Sequence, residues 1–457
     1  MPPTSIEPGA AIAIPWGDSG RITLELPPAW PAADVAWPDL GGAIEDYPGA
    51  LGGALDALEG GGRIEGQVGP GSTVAIVVDD PSRWTPVRAA IPILLGRLHE
   101  AGVRPSDVTL SVGVGRHHAV DAMAMRRRLG GDVVDAYRCF SPPVDDLAAY
   151  ADLGVTPEGV PVRVFRPVVE ADVRILIGSV LPHLQAGFGG GYKLIFPGTS
   201  HRSTLGALHR QGLGGDAGRL LGGDARENPM RRAIRSAAGL LGPCVSISHL
   251  IGAPGQFLHV AAGHPDPVQD RLALEARRRF RAPEGPAADL IVAGNHPWPG
   301  DPMQSFKVLL QHRAAARPGG VLVGFFWTEP DQMDRSFPMP MMRAIAATGV
   351  LGGWVLRRGL EGVDLALSGL GSPSAFLVRW ARELVLDRTV LVYAPPLHDR
   401  LGPRLGPIRL YADQGMLWRD AAGALDGHPR PRVRVFPQAG LTYVTERHPL
   451  PADCGAV

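Results

Sequence analysis

Residues 182–193 read PHLQAGFGGGYK and put His183, a run of glycines and Lys193 on one short segment. Glycine carries no Cβ, so backbone can approach a bulky ligand there, and its exposed amides can meet an anion. The phosphate-cradling pattern G-x-x-x-x-G-K-[ST] does not fit: Tyr192 precedes the lysine and Leu194, which has no hydroxyl for magnesium, follows it. The lysine needs another explanation. Of 45 basic residues only Lys193 and Lys307 are lysine, in a chain otherwise rich in Arg, Gly and Pro. Arginine stays charged, whereas a desolvated lysine loses its proton and can bond covalently to carbonyl carbon.

Other groups suited to chemistry follow short apolar runs. Asp79, Asp80 and Arg83 lie in DDPSRWTP, and His117 and His118 end GVGRHH. The elements that position them read as strand, helix, strand. STVAIVVDD at 72–80 is a buried strand closed by aspartates. After it, Thr85 can cap a helix with Pro86 at its first position, its apolar face being Val87, Ile91, Leu94, Leu95 and Leu98, before Gly102 ends it. VTLSV at 108–112 and VRILIG at 173–178 supply further strands. This βαβ grammar predicts an α/β fold with mainly parallel sheets, whose ligands bind beyond the carboxyl ends of the strands. Asp80, His117 and His183 all fall on that rim.

The length of 457 residues calls for two α/β domains: 1–285, completed by 433–457, and 286–432, beginning at the strand ADLIVAG, with the active site in the cleft between them. A charged helix is expected over 268–283, and HRAAARPGGVLVGFFW reads as helix, glycine turn and strand. A net charge of zero, with RRR at 126–128 as a solvated helix face, argues against nucleic acid or an anionic membrane as partner. Cys139, Cys244 and Cys454 have neither disulfide-framework nor zinc spacing. The absence of a signal sequence or a long apolar run gives the expectation of a cytoplasmic protein.

Taken in order, DDPSRWTP, GVGRHH and PHLQAGFGGGYKLIFPG resemble the motifs of the nickel-pincer-nucleotide lactate racemase family, from about residue 70 to about residue 310. The resemblance implies that Lys193 carries a pyridinium-3,5-bisthiocarboxylic acid mononucleotide, with Gly189, Gly190, Gly191 and Asp80 also on the cofactor side. It implies that nickel sits on that nucleotide and on one histidine sixteen residues after the lysine, a position occupied by His209. The acid/base pair matches His117 and His183, and the substrate carboxylate would meet Gln304, Lys307 and Arg83. Enzymes that make the cofactor are implied as partners, beside a small hydroxy acid; the oligomeric state is open.

The chemistry is coherent. The α C–H of a 2-hydroxy acid is very weakly acidic, so its removal as hydride avoids a carbanion, and return of hydride to the other face inverts the centre. Each face then needs its own group for the hydroxyl proton, and imidazole, with a pKa of about 6.5, serves in both directions. The expected function is a racemase or epimerase of a 2-hydroxy acid or related polyol acid. Trp84, Arg116, His118, Gln185 and Tyr192 depart from the usual motifs, and Gln185 with Arg116 would line a site for a larger or more polar substrate. Two alternatives stand: a Schiff-base lyase or aldolase using Lys193, and a non-catalytic nucleotide- or metal-binding homologue. The residues also have ordinary readings. Asp80 and Arg83 can form an ion-paired cap, Gln304 and Lys307 a solvated helix face, and His209 a helix-surface histidine. His201 and His249 read as structural.

Overall fold

The computed structural model describes residues 2–17, 19–115, 119–143, 145–212, 220–298, 302–329, 388–426 and 428–445, with helical positions at 343, 347, 379 and 382–385. His117, with Arg116 and His118, lies outside the described residues, as does Cys454.

The fold is α/β with two mainly parallel sheets. The first has six strands in the order Gln256–Gly263, Cys244–Ala253, Val173–Ser179, Val74–Asp79, Val108–Gly113 and Arg138–Phe140. All neighbours are parallel except the first two. Val74 to Val78 are at most 1% exposed, as expected of a strand covered on both faces. Ile76 and Val78 pack with Ile91, Leu94 and Leu98 of the helix Val87–Glu100, while Val77 and Leu176 face Phe196 and Met230 on the other side.

Local chemistry differs from the sequence expectation in instructive places. Pro86, not Thr85, is the cap residue of that helix, and no side chain caps it. The Thr85 hydroxyl instead donates to Asp79 Oδ2 at 2.5 Å. Of the three arginines at 126–128, Arg126 and Arg127 are exposed, but Arg128 turns inward to pair with Asp79 and to donate to the carbonyls of Arg83 (2.9 Å) and Thr85 (3.2 Å). The charged helix spans Pro265–Phe280, because Pro265 takes its first turn and Arg281 is extended. The glycines at 319–320 lie inside the strand Ala316–Phe325, whose pairing is shifted there by an irregularity, rather than in a turn before it.

The second sheet runs Ser5–Ile6, Ala33–Val35, Val433–Phe436, Ala288–Gly294, Ala316–Phe325, Thr389–Tyr393, Ile408–Tyr411 and Arg404–Leu405, parallel except at its two outermost strands. Strand pairing thus crosses residue 285 at both ends of the chain: 33–35 and 433–436 lie side by side next to 288–294. Further on, the Tyr443 amide donates to the Phe280 carbonyl and its ring meets Phe188 edge-on at 6.0 Å. One apolar cluster runs from Val180 and Phe188 through Leu272 and Phe280 to Ile291 and Val308 and so joins the two sheets. No helix among the described residues is long and apolar enough to cross a membrane.

The segment carrying Lys193 is a short 3-10 turn, Gly191–Leu194, laid over the carboxyl ends of the first sheet. A glycine lies at or next to the end of each of two strands beneath it, Gly113 and Gly178. A Cβ at Gly113 would stand 2.9 Å from the Leu194 carbonyl oxygen, and one at Gly178 would stand 2.7 Å from Leu194 Cδ1. Gly113→Ala is therefore expected to lift the turn and cost about 1–3 kcal/mol, the usual effect of overpacking, read as a lower midpoint in urea unfolding with an unchanged slope.

Candidate active site

Residues 182–183 and 187–188 form a two-stranded antiparallel hairpin beyond the strand 173–179, and the chain then enters the 3-10 turn with positive φ at Gly187 (+72°), Gly190 (+83°) and Gly191 (+61°). A side chain at these positions would be strained, so the sequence run of glycines is a backbone requirement. The turn buries Tyr192 among Leu176, Phe196 and Ile234 and leaves Lys193 with some accessible surface.

Lys193 is nonetheless surrounded by protein, and its pKa is pushed down from 10.5 to about 7. Burial is the main cause. Arg83, Arg231 and Lys307 add to it by repulsion, and Asp80 opposes them. The His183 pKa falls well below 6.5, again chiefly through burial, with Lys193, Lys307, Arg83 and His209 contributing. These mutual effects bring together His183, Lys193, His209, Arg83, Lys307 and Asp80, residues separated by more than two hundred positions in the chain.

Each is held by identifiable contacts. His183 Nδ1 accepts from the amides of Gln185 (3.2 Å) and Ala186 (3.1 Å), so the neutral ring carries its proton on Nε2. A ring so held is a hydrogen-bond donor at rest. To take a proton at Nε2 it must first move its own to Nδ1, against two amide donors. His209, 9% exposed near the end of the helix Arg202–Gln211, donates from Nδ1 to the Leu205 carbonyl at 2.8 Å. That bond fixes the tautomer and makes Nε2 the acceptor nitrogen of the neutral ring, the usual arrangement behind a ligating imidazole. Among the described residues no group of three His, Cys, Asp or Glu side chains gathers in a metal-binding cluster.

Asp80 accepts from the Ser82 amide at 2.8 Å, which shapes the turn presenting Arg83. Arg83 lies over the Trp298 ring at 4.9 Å, and the Trp84 indole donates to the Pro297 carbonyl at 2.5 Å. The loop after the strand 74–79 thereby meets the loop after 288–294 in the other sheet. On that side, Gln304 and Lys307 share one turn of the helix Pro302–His312, with Nζ donating to Oε1 at 3.1 Å; Gln304 is 7% exposed, so this is not a solvated face. His201 caps its helix through Nδ1, and His249 bonds Tyr47 and Gly178.

Gln185 needs correction. It is 1% exposed, and its Nε2 donates to the His209 carbonyl at 3.1 Å while its own carbonyl accepts from Asn228 at 2.8 Å. It braces the segment that carries His209 instead of lining a substrate pocket. Sequence reasoning also passed over His296 and Trp298, although HPWPG follows a strand end as plainly as the other loops do. His296 is buried, contacts Gln438 at 3.1 Å and is pushed down to about 4 by burial. Asn228 and Arg231 gave no signal, since nothing in the spacing of NPMRR marks them.

Residues 18–219 match the lactate racemase N-terminal domain. The lactate racemase of Thermoanaerobacterium thermosaccharolyticum is 24% identical over 272 residues, 59% of this chain and 63% of that protein. The lactate racemase of Lactiplantibacillus plantarum is 27% identical over 153 residues, 33% of this chain and 36% of that protein. The matched region thus spans less than two thirds of either relative. The fold is similar to that of the lactate racemase apoprotein from T. thermosaccharolyticum, with a TM-score of 0.78 and 19% identity over 96% of this chain and 100% of that one. It is also similar to a crystal structure of a Thermotoga maritima protein, with a TM-score of 0.64 and 14% identity over 88% and 99%. Residues 18–219 are thus similar to a lactate racemase N-terminal domain, and nearly the whole chain shares its fold with the lactate racemase apoprotein.

Proposed function

We propose that the chain is a racemase or epimerase that inverts the hydroxyl-bearing carbon of a 2-hydroxy acid or related polyol acid, using a nickel-pincer nucleotide attached to Lys193. The observation that carries the reading is the depressed Lys193 amine, at about 7, sharing one electropositive site with His183 and an oriented His209. When bound, the nickel nucleotide supplies a reversible hydride acceptor.

The chain's own residues supply position and charge. A substantial fraction of Lys193 is neutral near pH 7, which lets the amine form the covalent anchor. His209 offers Nε2 to nickel, and the backbone at Gly189, Gly190 and Gly191 leaves room for the nucleotide. Lys307, Gln304 and Arg83 hold the substrate carboxylate between the two sheets, with Asp80 fixing the turn under Arg83. His183 meets the substrate oxygen through Nε2, and His117 is assigned the hydroxyl proton on the opposite face. Such a protein depends on the enzymes that make its cofactor.

Co-production with those enzymes is expected to give a Lys193 peptide heavier by a mononucleotide, with stoichiometric nickel. His209→Ala should keep the adduct and lose most of the nickel, while Lys193→Arg should lose both. An unmodified Lys193 in folded, nickel-free protein overturns the reading. A second reading, the Schiff-base lyase, draws on the same low-pKa amine. Borohydride trapping separates the two, because it fixes a substrate-sized mass on Lys193 only if that reading holds.

The buried amine also predicts a pH-dependent stability. Lys193 has a lower pKa folded, at about 7, than its ordinary 10.5, so its burial penalty is complete below about 7 and shrinks as pH rises toward 10.5. Lys193→Met should therefore stabilise the cofactor-free protein by on the order of a few kcal/mol at pH 6 and by clearly less at pH 9, read by urea unfolding at both.

A further inference from the structure

Arg231 lies in the helix Pro229–Ala238, 6% exposed, and its guanidinium is spent on one loop. Nε donates to the Ala186 carbonyl at 3.2 Å, one Nη to that of Gly190 at 3.2 Å, and the other Nη to those of Gly189 at 2.9 Å and of Phe188. Among the described residues no carboxylate pairs with it. Asp266 and Asp270 act on it only through their charge, and burial pulls its pKa down from 12.5 to about 10. A buried cation satisfied by backbone carbonyls alone is costly to keep, and it is kept against the segment that ends in Lys193.

The geometry has a directional consequence. In a trans peptide the C=O and the following N–H point opposite ways, so carbonyls gathered on the guanidinium turn the amides of Gly187, Gly189, Gly190 and Gly191 away from it. Two of these have roles in the hairpin: Gly187 pairs with His183, and the Gly189 amide donates to Leu181 at 2.7 Å. The amides of Gly190 and Gly191, in consecutive positive-φ residues, donate to no group among the described residues. Without a centre of positive charge behind them, the carbonyls of a glycine run have no reason to share one direction.

We propose that Arg231 is the positioning residue of the cofactor loop: by collecting the carbonyls of Ala186, Phe188, Gly189 and Gly190 it fixes the face on which the loop presents its free amides and Lys193. The inference rests on the cofactor reading for its purpose, but the clamp itself is testable on the cofactor-free chain. A planar guanidinium reaches several acceptors at once, which an ammonium on a lysine stem cannot do in the same geometry.

The test compares the parent with Arg231→Met and Arg231→Lys by hydrogen exchange read by mass spectrometry, and by the occupancy of the Lys193 adduct after co-production. Expected in Arg231→Met is a loss of protection of about tenfold or more confined to residues 186–191, with strands 173–179 and 244–253 unchanged, and a fall in adduct occupancy. Arg231→Lys should restore part of both. If Arg231→Met does not fold, Arg231→Lys carries the same comparison against the parent. Protection within about twofold of the parent at 186–191, with equal adduct occupancy, overturns the proposal. Local loss of protection in a set where the parent itself carries no adduct supports the clamp and rejects the cofactor reading instead.

Discussion

Lys193 stands where Arg83, Arg231 and Lys307 all repel its charge and Asp80 opposes them, and burial adds a larger penalty than any of the three. A flexible lysine left to itself would turn its ammonium to water. The protein must therefore fix the backbone on both sides of the residue, and much of its local architecture serves that end. The 3-10 turn sits on strand ends cleared of side chains at Gly113 and Gly178, its preceding loop is drawn onto Arg231, and Tyr192 is anchored in the apolar layer beneath. What the fold loses in stability it returns as an amine that is partly neutral near pH 7, a form suited to covalent attachment.

The same economy of contacts holds the imidazoles. His209 is fixed by its own helix at Nδ1, and the carbonyl of the same residue is held by Gln185, which in turn is held by Asn228, the cap residue of the helix bearing Arg231. Displacing any one of these groups shifts the hairpin that carries His183, the helix that carries His209, or both. Coupling of this kind makes single substitutions far from the reacting atoms felt at the site. It also explains why a residue with the polarity to line a pocket, Gln185, is wholly interior: its amide satisfies a backbone group near a helix end, where such groups lack intrahelical partners.

The site takes its groups from two sheets. Each sheet presents loops at the carboxyl ends of its parallel strands, and the Arg83 and Trp84 contacts to Trp298 and Pro297 join those loops directly. Positive charge from the first sheet, Arg83 and Lys193, thereby meets Lys307 from the helix that follows a strand of the second. Such a concentration of cations suits an anionic ligand and opposes a neutral apolar one.

The sequence by itself determined the parallel architecture, because runs such as AIVV and LIVA have the length and β-branched content of strands buried on both faces, and the helix at 87–100 announced its inner face by periodicity. It also marked His183, Lys193, His209, Gln304 and Lys307, since their motifs are contiguous or fixed in spacing. Only the tertiary structure decided what the remaining polar groups do. Arg128 was indistinguishable from its solvated neighbours until Asp79 was placed beside it, Arg231 from Arg232 until the hairpin carbonyls came within reach, and Gln185 from a pocket residue until the His209 carbonyl took its amide. The pairing of residues 33–35 with 433–436 was equally silent. The physical reason is common to all four: side-chain type and local period report how a segment meets water, whereas a buried polar partner is chosen by distances between segments far apart in the chain.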